Sequence, residues 1–501
     1  MLLHFFLPLD KYVNTFLVFS VFLISFYKKN FFLIKKNLNY LLVFSLISTL
    51  FVIFSNINRP DAALYHLPYV SYLNEHKIVI GMNNIHFRFA TTSIVQYLSA
   101  INYNLFFSIN SISIPLSVFA LTIIFYFLEK IYNFIKTENY NYEFFFILFC
   151  SIFIAYKMNR YSGYGNDNTT HLLYYLLISF LLNKDFKKNF DLICYISVFL
   201  FLNKSTYVLV LLIPIIYFFI NKLYLNGFII YKKFLSPYAF FLYLWLLKNI
   251  LISGCVIYPL TKSCITNLQW TKDLKIIKQE SISSEAWAKG WPQYKGGLDQ
   301  ANFNKEFNWL KAWSDTHLKK IVDILFPYIL ISLSLLLIII LSRNKKNYLN
   351  EDKDLKLLII LNSFFVLIFF LKFPLFRYGS SYLISLIVLL FISFIKNFNL
   401  KTINKLSKIT LVLIIIIFNG KQLLKIKNNF HRDYINKPWP NLYSLDDNYI
   451  HKKIKFQNYK NLKIYYSNRE CAYSKPICGS YKPYTKFDIS HLLTYYVVKK
   501  N

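Results

Sequence analysis

RPDAALYHLPYVSYLNEHKIVIGMNNIHFRFATTSIVQY, residues 59–97, follows directly on the apolar run from Leu41 to Ile57. It gathers Asp61, Tyr65, His66, Glu75, His76, Asn83, Asn84, His86 and Arg88 into one short stretch. Ionisable groups are expensive inside hydrocarbon, so their concentration where a hydrophobic run ends points to a site at a membrane boundary. Pro60 fixes a bend, and a helix starting there has Asp61 near its positively polarised end, with Tyr65 one turn along on the same face. Two readings follow. Asp61 is a carboxylate aimed into a cavity at the outer membrane boundary, acting as a general base or positioning an acceptor, or it caps an interfacial helix.

The rest of the chain supports the membrane. Of 501 residues, 56% are hydrophobic and 20% aromatic, with 51 Phe and 41 Tyr, too much apolar surface for the remaining polar residues to cover. Apolar runs that approach the roughly 20 residues a span needs recur near 12–27, 39–57, 105–128, 143–157, 169–182, 191–203, 206–220, 234–252, 321–342, 356–372, 381–395 and 409–419. The pattern predicts an all-α polytopic membrane protein with about 12 transmembrane helices.

The net charge of +33, from 57 Lys+Arg against 24 Asp+Glu, suggests nucleic acid only until its placement is considered. Lys residues crowd the connections Lys28–Lys36, Lys130–Lys136, Lys184–Lys188, Lys222–Lys233, Arg343–Lys356 and Lys396–Lys408, which alternate along the chain. The positive-inside rule puts all six in the cytoplasm and accounts for the charge with no nucleic-acid partner. The other turns, 58–104, 158–168, 203–206, 253–320, 372–380 and everything after 419, are then external, and the N-terminus is external too unless the first run lies along the surface. The chain divides into a transmembrane domain, 1–419, and a small external α/β appendage, 420–501. Loop 253–320 carries Trp270, Trp287, Trp291, Trp309 and Trp313 among Lys and Glu, the composition of short interfacial helices whose indoles sit at headgroup level. Gly254 and Pro259 shape its entry.

Of six cysteines, Cys150 and Cys194 lie in apolar runs and read as buried apolar side chains. Cys255 with Cys264, and Cys471 with Cys478, are close pairs in polar segments, which suggests disulfides and an oxidising compartment. No Cys/His set has zinc spacing, and no P-loop, GxSxG, HExxH or GxGxxG string occurs. Nucleotide-driven transport is therefore unsupported.

Further candidates lie at the other external span ends. In Asn166-Asp167-Asn168-Thr169-Thr170-His171, Asp167 and His171 share a helix face. A second carboxylate on the side of Asp61 completes an acid/base pair or holds a divalent cation, or it merely caps its turn. Lys204 and Arg377 stand in external turns where the charge rule disfavours cations; each reads as a phosphate ligand or as a snorkelling contact to lipid headgroups. With Arg88 and Arg160 they make four outer cations. The candidate catalytic residues are Asp61, Asp167 and His66; the candidate substrate contacts are Tyr65, His86, Arg88, Arg160, His171, Lys204, Arg377 and Tyr378. No metal ligands are assigned.

An acidic residue just after a span, a second in a later short external loop, many spans and an external C-terminus resemble the GT-C glycosyltransferases. The strings Asp61…Tyr65-His66-Leu67-Pro68, Gly81-Met82-Asn83-Asn84…His86…Arg88-Phe89, Ser253-Gly254-Cys255-Val256-Ile257-Tyr258-Pro259 and Pro374…Arg377-Tyr378-Gly379, with the pair Cys471…Cys478, look like a bacterial membrane-protein family of that architecture. The resemblance implies a GT-C-like fold in the bacterial inner membrane with a periplasmic active face. It implies transfer of a sugar from a polyprenyl-phosphate-linked donor to a lipid, glycan or protein acceptor. Asp61 would be the catalytic base or acceptor-orienting carboxylate, Asp167 the second acidic position, and Lys204, Arg88 and Arg377 the ligands of the lipid phosphate. The chain departs from the pattern in having Ala62 after Asp61 in place of an acidic doublet, and a span ahead of the usual first one. The alternatives are a polysaccharide polymerase or ligase, which shares the external basic site, and a flippase of lipid-linked sugars. A flippase calls for ionisable groups or helix breaks at mid-span depth and for internal repeats, and the sequence offers neither.

Overall fold

The computed structural model describes residues 1–27, 39–56, 61–108, 111–159, 161, 163, 166–183, 186–220, 222, 236–342, 349, 353–429, 454–459, 462–467, 471, 476–480 and 487–500. Arg59, Pro60 and Arg160 lie outside them.

The chain is a helical bundle with small sheets at its C-terminus. Its longer α-helices among the described residues are α1 (Lys11–Tyr27), α2 (Asn39–Phe54), α3 (Leu67–Glu75), α4 (Ile94–Ile101), α5 (Ile114–Thr137), α6 (Tyr142–Tyr156), α7 (Asp167–Leu181), α8 (Phe186–Asn203), α9 (Leu212–Ile220), α10 (Pro237–Ser253), α11 (Leu274–Ala288), α12 (Lys319–Leu341), α13 (Lys353–Lys372), α14 (Phe376–Ser393) and α15 (Leu400–Asn429). Each of the twelve apolar runs contributes a helix. Among the described residues, five helical stretches are long and apolar enough to cross a membrane: Ile114–Thr137, Leu310–Leu341, Lys353–Lys372, Phe376–Ser393 and Leu400–Asn428. Six shorter apolar helices accompany them, among them Lys11–Tyr27 and Tyr142–Tyr156. The structure thus supports a membrane protein with five full-length candidate spans among the described residues, fewer than the twelve expected.

One boundary shows why the runs mislead. The run 105–128 does not begin as a helix, because the Asn104 carboxamide oxygen accepts from the N–H groups of Phe106 (2.9 Å) and Phe107 (3.0 Å) and closes an Asx turn. α5 starts at Ile114, where Pro115 occupies the first turn at no hydrogen-bonding cost.

α6 is apolar all round and buried along its length, so it is the axis of the bundle. α5, α7, α14 and α15 pack on it. Its C-terminal end is met by Lys421 of α15, whose Nζ donates to Ala155 O and, just past the helix, to Met158 O, both at 2.6 Å. α12 turns Phe326, Leu330 and Leu337 outward, and α1 does the same with Phe16, Phe19 and Phe22, a lipid-facing surface.

The turns expected outside gather at one end of the bundle. Asn84 donates to Trp270 O (2.9 Å) and to Val498 O (3.0 Å), which joins the 58–104 turn to loop 253–320 and to the C-terminus. The N-terminal turn joins them through His4, whose imidazole meets His76 O at 3.0 Å. Trp313 Nε1 donates to Pro374 O (2.7 Å), bringing in the 372–380 turn. At the opposite end Asn404 donates to Glu138 (2.7 Å) and Leu349 N to Lys396 O (2.8 Å), so three of the Lys-rich connections meet there.

Within loop 253–320, Trp309 and Trp313 differ from the interfacial expectation. They are buried with Phe303 and Ala286 and pack against Phe370 of α13, Trp313 edge-on and Trp309 tilted, because Trp313 gains a backbone acceptor by turning inward. Trp287 of α11 remains exposed. Cys255–Cys264 and Cys471–Cys478 are disulfides, and Cys150 and Cys194 are free and buried. Beyond α15 come a three-stranded sheet, β1 (Ile454–Tyr459), β2 (Leu462–Ser467) and β3 (Cys478–Ser480), and an antiparallel hairpin, β4 (Phe487–Leu492) and β5 (Tyr495–Lys500). Among the described residues after Asn429 no helix occurs.

Candidate active site

Asp61 opens a helical segment whose first turn, Ala62–His66, has π-type hydrogen bonding before α3 continues it. Such widened turns re-aim side chains and recur at functional sites. The Asp61 carboxylate makes no capping bond to its own helix, so the capping role is not the one it fills. Its Oδ2 lies 3.5 Å from Nη1 of Arg377, at the start of α14. Asp61 is 36% exposed, within reach of solvent or substrate.

A second ion pair stands beside the first. Lys204, between α8 and the 3-10 turn Ser205–Leu211, bonds Asp167 at the N-terminus of α7. Lys204 is 8% exposed, so the snorkelling reading fails. Its ammonium also lies 4.2 Å from the centre of the Tyr378 ring and 3.5 Å from Arg377 O. The same carbonyl is 3.1 Å from Nε2 of His171. A carbonyl only accepts, so Nε2 of His171 carries the proton and Nδ1 accepts from one of the two hydroxyls 3.2 Å away, Tyr207 and Ser381, while the other donates across the 2.7 Å bond between them. His171 is thereby a positioning residue that holds the Arg377 peptide.

Asn203 sets the second pair. Fully buried, it donates to Thr170 Oγ1 (2.8 Å) and accepts from Ser93 Oγ (2.5 Å), while Asn166 donates to its carbonyl (2.5 Å). These bonds lock the end of α8 to the start of α7 and to the cap of α4, which brings Lys204 to Asp167.

Tyr65 and His66 lie between the two halves, with ring centres 4.4 Å apart. Burial, reinforced by Asp61, pushes the Tyr65 phenol up, so it stays protonated. Burial pulls His66 down to about 4, although Asp61 and Asp167 pull the other way, so the ring is neutral near pH 7. The guanidinium of Arg88 lies 5.7 Å from the Tyr65 ring centre and 4.7 Å from that of Phe87. Among the described residues no carboxylate is within ion-pairing distance of Arg88. His86 serves a local purpose: it caps the turn Phe87–Thr91 by accepting from Arg88 N at 3.3 Å, and burial lowers it to about 3.

The structure thus brings together Asp61, Tyr65, His66, Arg88, Asp167, His171, Lys204, Arg377 and Tyr378, with His86 at the edge. The residues missed by the sequence reading are chiefly on α11. Trp287 stands over the Arg377 guanidinium at 5.5 Å. Glu280, bonded to Lys272 at 3.1 Å, is pushed up to about 7 by burial, and Lys272 is pulled down to about 8. Gln96 was also missed, although Ser93-x-x-Gln96 ahead of an apolar run is a capping-box string that a scan detects. Among the described residues no group of three or more His, Cys, Asp or Glu side chains is placed to hold a metal ion. Each of the two carboxylates is already matched to a cation.

Residues 1–384 match the family described as "Domain of unknown function (DUF8201)". The chain belongs to that family. No curated protein and no solved structure matches it significantly. The match covers both ion pairs of the site and the disulfide Cys255–Cys264 and ends before the C-terminal sheets, so the DUF8201 segment contains every candidate residue named above.

Proposed function

We propose that the protein is a membrane glycosyltransferase of GT-C type that moves a sugar from a polyprenyl-phosphate-linked donor to a lipid, glycan or protein acceptor. In this reading the active face is periplasmic and the membrane is the bacterial inner membrane. The observation that carries it is the pairing of Asp61 with Arg377 beside Asp167 with Lys204 at one end of an apolar bundle, with Arg88 close by and in no ion pair among the described residues. Counting Lys272 and Glu280, four cations stand against three carboxylates and leave the site positive, which suits a lipid phosphate, and the exposed apolar helices suit its chain. The two disulfides lie at the same end, which fits an oxidising compartment.

The chemistry follows from these groups. Asp61 accepts the proton of the acceptor hydroxyl as that oxygen attacks the anomeric carbon. The bond from that carbon to the phosphate oxygen breaks, and the polyprenyl phosphate leaves with the bonding electrons. Arg88 and Arg377 stabilise the departing charge, the term worth most in such a transfer. Convergence of the ionisable groups at one end favours this over a flippase, whose sites sit at mid-depth.

The test is release of polyprenyl phosphate by the purified protein in nanodiscs supplied with a polyprenyl-phosphate monosaccharide and a bacterial envelope extract that brings lipid, glycan and protein hydroxyls as acceptors. Asp61→Asn removes the base while keeping shape. Its loss of release with an unchanged unfolding midpoint is the expected result, and wild-type release by this variant overturns the role of Asp61.

A further inference from the structure

His66 carries a second, finer assignment, which begins at the cap of α4. The backbone N–H of Ser93 donates to Oε1 of Gln96 at 2.8 Å. That bond fixes which end of the Gln96 amide is oxygen, because a backbone N–H only donates. The amide nitrogen of Gln96 therefore faces His66, and Nε2 of Gln96 donates to Nδ1 of His66 at 2.9 Å. An imidazole nitrogen that accepts carries no proton, so the proton of the neutral ring is on its other nitrogen. Gln96 is 2% exposed and Ser93 1%, so the relay is dry. Gln96 is the one hydrogen-bond partner of the His66 ring among the described residues.

We propose that Gln96 is a positioning residue that holds His66 as the neutral Nε2–H tautomer, so that His66 serves the site as a fixed hydrogen-bond donor to an anionic or carbonyl-type oxygen of the substrate and not as a general base. The Nε2–H is the end of the ring that Gln96 leaves uncommitted, and it belongs to a residue flanked by Tyr65. The charged groups acting on the ring are Asp61, Asp167, Arg88 and Arg377, two of each sign, so they leave no strong bias towards protonation. Burial, the largest influence, opposes it. A donor that stays neutral and whose orientation is set by the cap of a helix costs no reorganisation when charge develops beside it. The assignment deepens the transferase reading by removing His66 as a candidate base and leaving that task to Asp61.

The cap makes a clean test. Gln96→Glu keeps an oxygen for the Ser93 N–H, since Glu completes a capping box as well as Gln. It replaces the donor to His66 by an acceptor, which draws a proton onto Nδ1. The full-length protein, labelled with 15N-histidine and reconstituted in liposomes, is examined by NMR, and His66 is assigned by its loss in His66→Gln. In the wild type the expected signals are an unprotonated Nδ1 and a protonated Nε2, unchanged between pH 8 and pH 5. In Gln96→Glu, Nδ1 is protonated. A wild-type ring protonated on Nδ1, or titrating near pH 6.5, overturns the proposal whether or not the protein transfers sugar.

Activity supplies a second arm. Gln at position 66 offers an N–H near the Nε2 position but no base, whereas Leu offers neither. His66→Gln is expected to keep release within about tenfold of wild type while His66→Leu loses it, tenfold being about 1.4 kcal/mol. Equal loss in both variants, with wild-type unfolding midpoints, overturns the donor role. A wild type that shows no release while its His66 signals match the locked tautomer leaves the tautomer standing and removes the transferase.

Discussion

Removing one member of the Asp167–Lys204 pair exposes how the site is held, and the cost can be bounded from the structure. Lys204 is 8% exposed and Asp167 22%, so the Asp167→Asn variant strands a buried ammonium and Lys204→Met a carboxylate with some water. A stranded Lys escapes by losing its proton, which at pH 7 costs about 5 kcal/mol from an ordinary value near 10.4. A stranded Asp escapes by gaining one, at about 4 kcal/mol from 3.9, and its hydration relieves part of that. The single variants are therefore each expected to lose about 3–5 kcal/mol, the range for breaking a buried pair, with Asp167→Asn the worse. The double variant Asp167→Asn, Lys204→Met leaves no charge stranded and recovers most of the loss. Unfolding midpoints followed by tryptophan fluorescence in detergent measure all four proteins. The pH dependence adds a signature: the deficit of Asp167→Asn shrinks as pH rises towards 9, and that of Lys204→Met shrinks as pH falls towards 5. Single variants within about 1 kcal/mol of wild type whose effects simply add would refute the reasoning, because that is how an exposed, screened pair behaves.

Acidification gives another test. His4 and His86 are lowered by burial to about 3 and His66 to about 4, all below the unfolded value, so their contribution is present at pH 7 and is lost as pH falls from about 6.5. Between pH 7 and pH 5 each costs about 2 kcal/mol. Glu280, raised to about 7, works in the opposite sense and gains about as much over that interval, offsetting one of the three. The expected outcome is a lower unfolding midpoint at pH 5 than at pH 7, most of it removed in a His4→Phe, His86→Phe double variant; a midpoint that does not move contradicts the burial of these rings. The C-terminal hairpin offers the last. Gly81 has φ of +74°, and a Cβ there would lie 2.2 Å from Val498 O and 2.7 Å from Trp270 Cβ. Gly81→Ala is expected to cost about 2 kcal/mol or more through clash and left-handed backbone together and to speed protease cleavage near β5, whereas wild-type resistance shows that the hairpin is not held there.

The helices, and the end of the bundle at which the ionisable groups meet, were legible in the sequence because both are set by local patterning. Apolar runs make α5, α6 and α12–α15, and the alternation of Lys-rich and Lys-poor turns sorts the ends. Asp61, Asp167, Lys204 and Arg377 could be named because each interrupts an apolar run where solvation is poor. Which carboxylate would take which cation could not be read, since it depends on how α14 enters against α7. Nor could the inward turn of Trp309 and Trp313 be read, because the acceptor that draws Trp313 in, Pro374 O, is 61 residues away. Helix lengths failed where side chains compete for backbone bonds, as Asn104 does ahead of α5.

The first turn of α14 is where these long-range choices are resolved. Arg377 offers its guanidinium to Asp61 and its carbonyl to His171 and Lys204, and Trp287 covers it from α11. Two positions later Gly379 departs from helical backbone, and a Cβ on it would meet the Phe369 ring at 2.4 Å. The absent side chain lets α13 close against α14 at the kink. That close approach carries the Arg377 peptide under α7, where His171 can hold it. A bulkier residue at 379 would move the carbonyl and the guanidinium together, and so would disturb both ion pairs without touching a charged atom. The two ion pairs thus share one residue, since Arg377 meets Asp61 with its guanidinium and Lys204, the partner of Asp167, with its carbonyl.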